Sequence, residues 1–249
     1  MNPSSVLDYL LEVSKRHKAG YLILIDPDRH TVETCVQLAR QAEEAGVDGL
    51  LLGGSFLTVE LDPIAEALLK EISVPLILFP GDAMHVTSHA DAILYLSLIS
   101  GRNANFLIGE QVKAAPLIKR YGLEAIPTGY MLIDSGCQTS VGFMSGTSPL
   151  PRDKFDLAWA HALAAQYLGM RLIYLEAGSG ANLSVPSGMI SAIRERLDLP
   201  IVVGGGLKTP EAAAEKVNAG ANFIVTGTVF ENESSSKALM KAFAAAIHG

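Results

Sequence analysis

Residues 201–228 read IVVGGGLKTPEAAAEKVNAGANFIVTGT. An aliphatic triplet runs into Gly204-Gly205-Gly206, a helical pattern opens at Thr209-Pro210-Glu211 and closes at Ala219-Gly220, and a second aliphatic run ends in Thr226-Gly227-Thr228. Short, near-continuous aliphatic runs are what strands buried on both faces of a parallel sheet require. Proline just inside a helix start and glycine just past its end mark the helix between them. Working outward, the same aliphatic signal recurs at residues 21–25, 49–52, 75–79, 92–98, 124–127, 172–175, 201–203 and 223–225. Helical patterns lie between them, at 31–45, 105–121, 154–168 and 210–219, and Ala45-Gly46-Val47-Asp48 repeats the passage from helix through glycine into strand. No Pro/Ser-rich linker divides the chain, so residues 1–249 are expected to form a single domain. Eight strand–helix units in that length fit a closed (β/α)8 TIM barrel, with phosphate-binding loops at the carboxyl ends of the strands, better than an open doubly wound sheet.

Composition agrees with a large buried core. Of the 249 residues, 49% are apolar and 18% charged, which excludes a disordered or fibrous chain. The 19 basic and 26 acidic residues leave a net charge of −7, against the basic face a nucleic-acid binder needs. No apolar run approaches the ~20 residues of a membrane span. The N-terminal segment reads as an amphipathic helix capped at Ser4 or Ser5 rather than a signal peptide. Cys35 and Cys137 lack metal-type spacing and are expected to be reduced and buried, in a cytoplasmic protein. Residues 134–151, rich in Gly, Ser and Thr with little helical pattern, are expected to form a lid.

In such a barrel the chemistry sits where strands run into the following loops. Those points read Ile25-Asp26-Pro27-Asp28, Gly53-Gly54-Ser55, Glu176-Ala177-Gly178-Ser179-Gly180, Gly204-Gly205-Gly206 and Thr226-Gly227-Thr228. Glycines let backbone N–H groups approach an anion and short hydroxyl residues add donors, so the last three points predict a phosphate cradle, with the helix start near Thr209 in support. Asp26 has two readings. With the hydroxyl of Ser55 it can hold Mg²⁺ shared with a diphosphate; otherwise it caps the next turn, a task for which Asp28 looks better placed. Glu176 either faces the mouth as a base or hydroxyl acceptor, or is a solvated turn residue. His85 and His89, at i and i+4, lack the intervening Glu of a zinc-protease helix and read as surface or packing residues. Gly142-Phe143-Met144-Ser145-Gly146 has the wrong spacing for a nucleophile elbow. Trp159 reads as a packing or subunit-contact residue.

Taken together, Leu24-Ile25-Asp26-Pro27-Asp28, Gly53-Gly54-Ser55, the YLEAGSGA string at 174–181, Val203-Gly204-Gly205-Gly206-Leu207 and Gly227-Thr228 resemble the geranylgeranylglyceryl phosphate synthase family, in the right order over almost the whole chain. The resemblance implies a Mg²⁺-dependent prenyltransferase that joins sn-glycerol 1-phosphate to a polyprenyl diphosphate through an ether bond, geranylgeranyl being the default chain. By the same resemblance Asp26 and Ser55 bind the metal. Tyr174, Leu175, Glu176, Ala177, Gly178, Ser179 and Gly180 hold the glycerol phosphate, and Gly205, Gly206, Gly227 and Thr228 complete its phosphate site. Glu176 and Tyr174 are the implied catalytic pair, and family members are oligomers, here a dimer or hexamer. Some members carry Lys where this chain has Leu24, so that lysine's contact is absent or supplied elsewhere. Two competing readings are a sugar-phosphate isomerase or epimerase, which needs a second acid–base group opposite Glu176, and a non-catalytic lipid carrier. The prenyl tail is expected along strands two to four and their helices.

Overall fold

A computed structural model describes residues 5–230 and 236–249. Its eight strands are β1 (Gly20–Ile25), β2 (Gly49–Gly53), β3 (Leu76–Phe79), β4 (Ala92–Leu98), β5 (Glu124–Leu132), β6 (Leu172–Glu176), β7 (Ile201–Gly204) and β8 (Phe223–Thr226). They pair in chain order, all parallel, and β8 closes on β1 through Gly20 opposite Phe223. Around them run α1 (Val6–Arg16), α2 (Val32–Glu44), α3 (Leu61–Glu71), α4 (Glu110–Tyr121), α5 (Ser140–Ser145), α6 (Phe155–Tyr167), α7 (Ser187–Arg194), α8 (Pro210–Asn218) and α9 (Ser236–His248).

Closure assigns alternate residues of each strand to opposite environments. Leu22, Leu51, Ile77, Leu94, Ile126, Leu172, Val202 and Phe223 fill the interior. Their neighbours Ile23, Leu50, Leu76, Ile173, Ile201 and Ile224 face the helices. Both sets are buried, which is why the strands read as continuous aliphatic runs rather than alternating ones.

Four local expectations are corrected. β5 continues to Leu132 instead of ending at Pro127, because Gly129 is required for packing rather than for a turn: a Cβ there would lie 2.8 Å from Ala165 of α6. The β3–β4 connection holds no helix. Local hydrogen bonds claim its backbone, with Asp82 Oδ1 accepting from Met84 N–H at 2.7 Å, His85 Nδ1 from Gly81 N–H at 3.0 Å and Thr87 Oγ1 from His89 N–H at 3.1 Å. His85 is therefore a buried turn residue. Residues 134–151, expected to hold little helical pattern, contain α5 and wall the chamber at Ser140 and Val141. Thr139 caps α5, Leu150 bridges to Ile133, and Arg152 donates to the carbonyls of Asp134 and Ser184 at 2.8 and 2.7 Å. Cys35 is buried, but Cys137, on that wall, is exposed.

The amino-terminal end of the barrel is closed by α1. Ser5 is its cap, accepting from Asp8 N–H at 3.1 Å; Ser4 lies outside the described residues. Leu7 and Leu10 enter the barrel's interior cluster. The Glu124 carboxylate, at the start of β5, accepts the N–H groups of Val6 and Leu7 at 2.5 and 3.2 Å, satisfying donors that every helix start leaves open. Glu124→Ala is expected to lower unfolding free energy by about 1–2 kcal/mol, the scale of a lost helix cap, measured by urea denaturation; an unchanged midpoint would show that α1 is held by Leu7 and Leu10 alone.

Candidate active site

One open chamber at the carboxyl ends of the strands brings together Asp26, Ser55, Tyr174, Glu176, Gly178, Ser179, Gly180, Gly205, Gly206, Gly227 and Thr228. Loops that are distant in sequence are tied here, with Ser179 and Thr228 hydroxyls 3.0 Å apart. Leu175 and Ala177 do not line the chamber. Leu175 follows the strand alternation outward into the helix layer, Ala177 is fully buried there, and the Ala177 N–H is used by the Gly204 carbonyl at 3.1 Å. Nor does the start of α8 line it, since Thr209 caps that helix itself; the exposed Lys208 just before it does. Sequence reasoning missed Lys208, Arg29, Phe79 and Tyr130. The two cations carried no motif, and Tyr130 was hidden by ending β5 early.

Glu176 is the last residue of β6 and shares the inward parity of Tyr174. It is paired across the sheet with Leu132 on one side and Gly204 on the other. Its side chain is buried, and burial raises its pKa from 4.5 to about 7. The Gly178 N–H, donating to Oε1 at 2.5 Å, and the Tyr174 hydroxyl oppose that rise. Tyr174 Oη faces the carboxylate without meeting the geometry of a full hydrogen bond. Space around the carboxylate is set by Gly205: its φ is +81°, and a Cβ there would lie 2.4 Å from Glu176 Oε1 and 2.6 Å from Gly178 N. Burial, then the charge of Glu176, holds the phenols of Tyr174 and Tyr130 well above their ordinary pKa, so both stay protonated.

The cap expected of Asp28 is made by Asp26, one of the two readings open for that residue. Asp26 caps the short turn Pro27–Arg29, accepting from Asp28 N–H at 3.1 Å, and pairs with Arg29 at 3.1 Å. Asp28 reaches across to the β2–α3 loop, accepting from Thr58 N–H at 2.9 Å and Val59 N–H at 3.1 Å. Capping does not remove Asp26 from the chamber, which it lines with Ser55. Among the described residues no group of three His, Cys, Asp or Glu forms a metal cluster. One carboxylate beside a hydroxyl fits the sparse protein ligation of Mg²⁺, which takes its remaining oxygens from waters and phosphates.

A second, apolar cavity adjoins the chamber, walled by Ile93, Leu94, Leu96, Phe106, Ala114 and Met144, with Ala83 and Val86 from the helix-free β3–β4 connection. Its position beside β3, β4 and α4 falls within the expected tail region.

The carboxyl at Glu176 sets a test of the chamber's electrostatics. Unfolded, it ionises near 4.5; folded, it holds its proton to about 7. Folding stability therefore falls as pH rises through this window, with the loss complete above it. Glu176→Gln, neutral at every pH and still able to accept from Gly178, is expected to unfold at higher denaturant than the unsubstituted protein at pH 8, by up to about 3 kcal/mol. The gap should narrow toward pH 5, and a difference independent of pH would mean the carboxyl is not desolvated.

Comparison with known proteins adds lineage to this geometry. The PcrB family model matches residues 12–247. Geranylgeranylglyceryl phosphate synthase of Methanothermobacter marburgensis is 47% identical over 231 residues, covering 92% of this chain and 93% of the relative. That of Spirosoma linguale is 48% identical over 227 residues, covering 91% and 90%. Among solved structures, (S)-3-O-geranylgeranylglyceryl phosphate synthase of Thermoplasma acidophilum in complex with its substrate sn-glycerol-1-phosphate superposes with a TM-score of 0.93 at 34% identity, covering 98% of this chain and 99% of that one. With the matched strand-end loops all converging on one chamber, the chain belongs to the PcrB family, that of the geranylgeranylglyceryl phosphate synthases.

Proposed function

We propose that this protein is a prenyltransferase that forms the ether bond between sn-glycerol 1-phosphate and a polyprenyl diphosphate, geranylgeranyl diphosphate above all, and releases diphosphate. The observation that carries the reading is the adjacency of two unlike spaces, a polar chamber with phosphate-type loops and an apolar cavity sharing a wall with it. The solved Thermoplasma acidophilum relative binds sn-glycerol-1-phosphate, and the loops after β6, β7 and β8 offer backbone amides and the hydroxyls of Ser179 and Thr228 to such a phosphate. Glu176 accepts the proton of the attacking glycerol hydroxyl, a role for which a pKa of about 7 is well matched. Tyr174 positions that hydroxyl and the carboxylate. Asp26 and Ser55 would hold Mg²⁺, which supplies positive charge against the departing diphosphate. Arg29 and Lys208 add cationic side chains to the same chamber. An isomerase is disfavoured because the relatives that match over nine-tenths of the chain are geranylgeranylglyceryl phosphate synthases.

No helix among the described residues is long and apolar enough to cross a membrane, in keeping with an enzyme that works in the cytoplasm as one barrel domain. The apolar Tyr167 and Leu168 at the end of α6 and Val112 on α4 are exposed, as a homo-oligomer contact, dimeric or hexameric, would require.

Mixing the protein with sn-glycerol 1-phosphate and prenyl diphosphates of several lengths is expected to give an ether product by mass spectrometry, abolished by EDTA and restored by Mg²⁺. No ether product at any length would overturn the reading. Asp26→Asn and Ser55→Ala should raise the Mg²⁺ concentration needed for half-maximal rate. Glu176→Gln should cut turnover by roughly 10²-fold or more, as loss of a general base does, while weakening glycerol phosphate binding far less. Equal losses in both would assign Glu176 to binding alone.

A further inference from the structure

Resting on the transferase reading, the two cavities also locate the reacting carbon. A prenyl diphosphate with its head in the polar chamber and its tail in the apolar cavity must pass its allylic C1, the atom joining the two parts, through their common wall. Five residues line both spaces: Gly54, Ser55, Phe79, Tyr130 and Val141. Two of these are aromatic in a chain with only 6% aromatics, and Phe79 ends a strand that is otherwise Leu76-Ile77-Leu78. Both rings gather on Tyr174. Phe79 stacks on it at 5.3 Å between centroids and 21° between planes, and Tyr130 lies at 5.4 Å and 41°. Phe79 and Tyr130 are 6.0 Å apart at 55°. Gly53, at the end of β2, lets the backbone of Phe79 lie close: its φ is +147°, and a Cβ there would sit 2.1 Å from the Phe79 carbonyl oxygen.

We propose that Phe79 and Tyr130 are catalytic residues whose ring faces stabilise the positive charge developing on the allyl group as the diphosphate leaves. Aromatic faces carry negative quadrupole density and attract cations, the more strongly when water is excluded. The C1–O bond to the diphosphate breaks with its electron pair staying on the diphosphate. An oxygen lone pair of the glycerol hydroxyl forms the new C1–O bond, and that hydroxyl's proton goes to the Glu176 carboxylate. Between the two events the allyl group is electron-deficient and borders Phe79 and Tyr130. The phenols suit this neighbour because they are held protonated by burial and by the charge of Glu176; a phenolate at that place would itself be alkylated.

Ring electronics can be varied at nearly constant shape. With phenylalanine at position 79 replaced in turn by its 4-fluoro, 3,5-difluoro and 3,4,5-trifluoro analogues, the single-turnover rate of ether formation is expected to fall at each step. The total fall should be about tenfold, the scale of a desolvated cation–π contact. Apparent affinity for both substrates and the melting temperature should stay constant, which a packing role would not predict. Tyr130→Leu should lower the same rate with little change in KM, and Tyr130→Phe should regain most of it. A fluorination series that leaves the rate flat in an active enzyme overturns this inference alone. Absence of ether product from the unsubstituted protein overturns the transferase reading, and this inference with it.

Discussion

Everything at this site depends on the parity that barrel closure imposes. Once β8 pairs with β1, each strand has an inside and an outside, and a residue's place along the strand fixes which it takes. Tyr174 and Glu176 are two apart, so the same parity that buries Tyr174 among interior side chains also turns the carboxylate into the chamber. On β5 it stacks Tyr130 above Ile126, and on β3 it sets Phe79 above Ile77. The top layer of an aliphatic barrel is thereby converted into aromatic rings around one acid.

That acid is expensive to keep ionised where it sits. Burial raises it toward neutrality, while a single backbone N–H and a neighbouring phenol compensate in part. The unfavourable energy is borne by the surrounding core of buried strands, and it leaves a group poised to take a proton at neutral pH. The proposed phosphate side is built differently. A chain of net charge −7 places Arg29 and Lys208 at the chamber and otherwise lines that arc with the glycines and hydroxyl residues of the loops after β6, β7 and β8. Backbone amides and hydroxyls need no desolvated cation of their own.

Much of this was legible in the residues, because aliphatic runs ending in Gly, Ser, Thr or Asp mark the strand ends of a parallel barrel. The matched loops did converge. What failed has local causes. Pro127 and Gly129 imitate a strand end, which shortened β5 and concealed Tyr130. Residues 80–91 lie where a helix was counted, yet their Asp, Thr and His side chains satisfy the backbone in turns. Asp26 and Asp28 both stand where either could cap the turn, and the reach of Asp28 to Thr58 and Val59 on another loop leaves that cap to Asp26. The assignment of Leu175 and Ala177 to the substrate treated a motif as a contact list, although flanking Glu176 on a strand puts them on its opposite face.

The helix-free β3–β4 connection has a consequence for how such an enzyme diversifies. Pro80, Gly81, Asp82, Ala83 and Val86 shape the apolar cavity, while the glycine-rich loops of the chamber follow β6, β7 and β8 on a different arc of the barrel. Not all of the segment is equally free to change: a Cβ at Gly81 would lie 2.5 Å from the Gly54 carbonyl oxygen and 2.8 Å from that of Ser55, whereas Ala83 and Val86 already carry side chains at the cavity wall. Bulk added at Ala83 or Val86 would reshape the apolar cavity alone, whereas any side chain at Gly81 would also displace the loop that carries Ser55, so one short segment holds both a freely variable position and one that couples the two spaces.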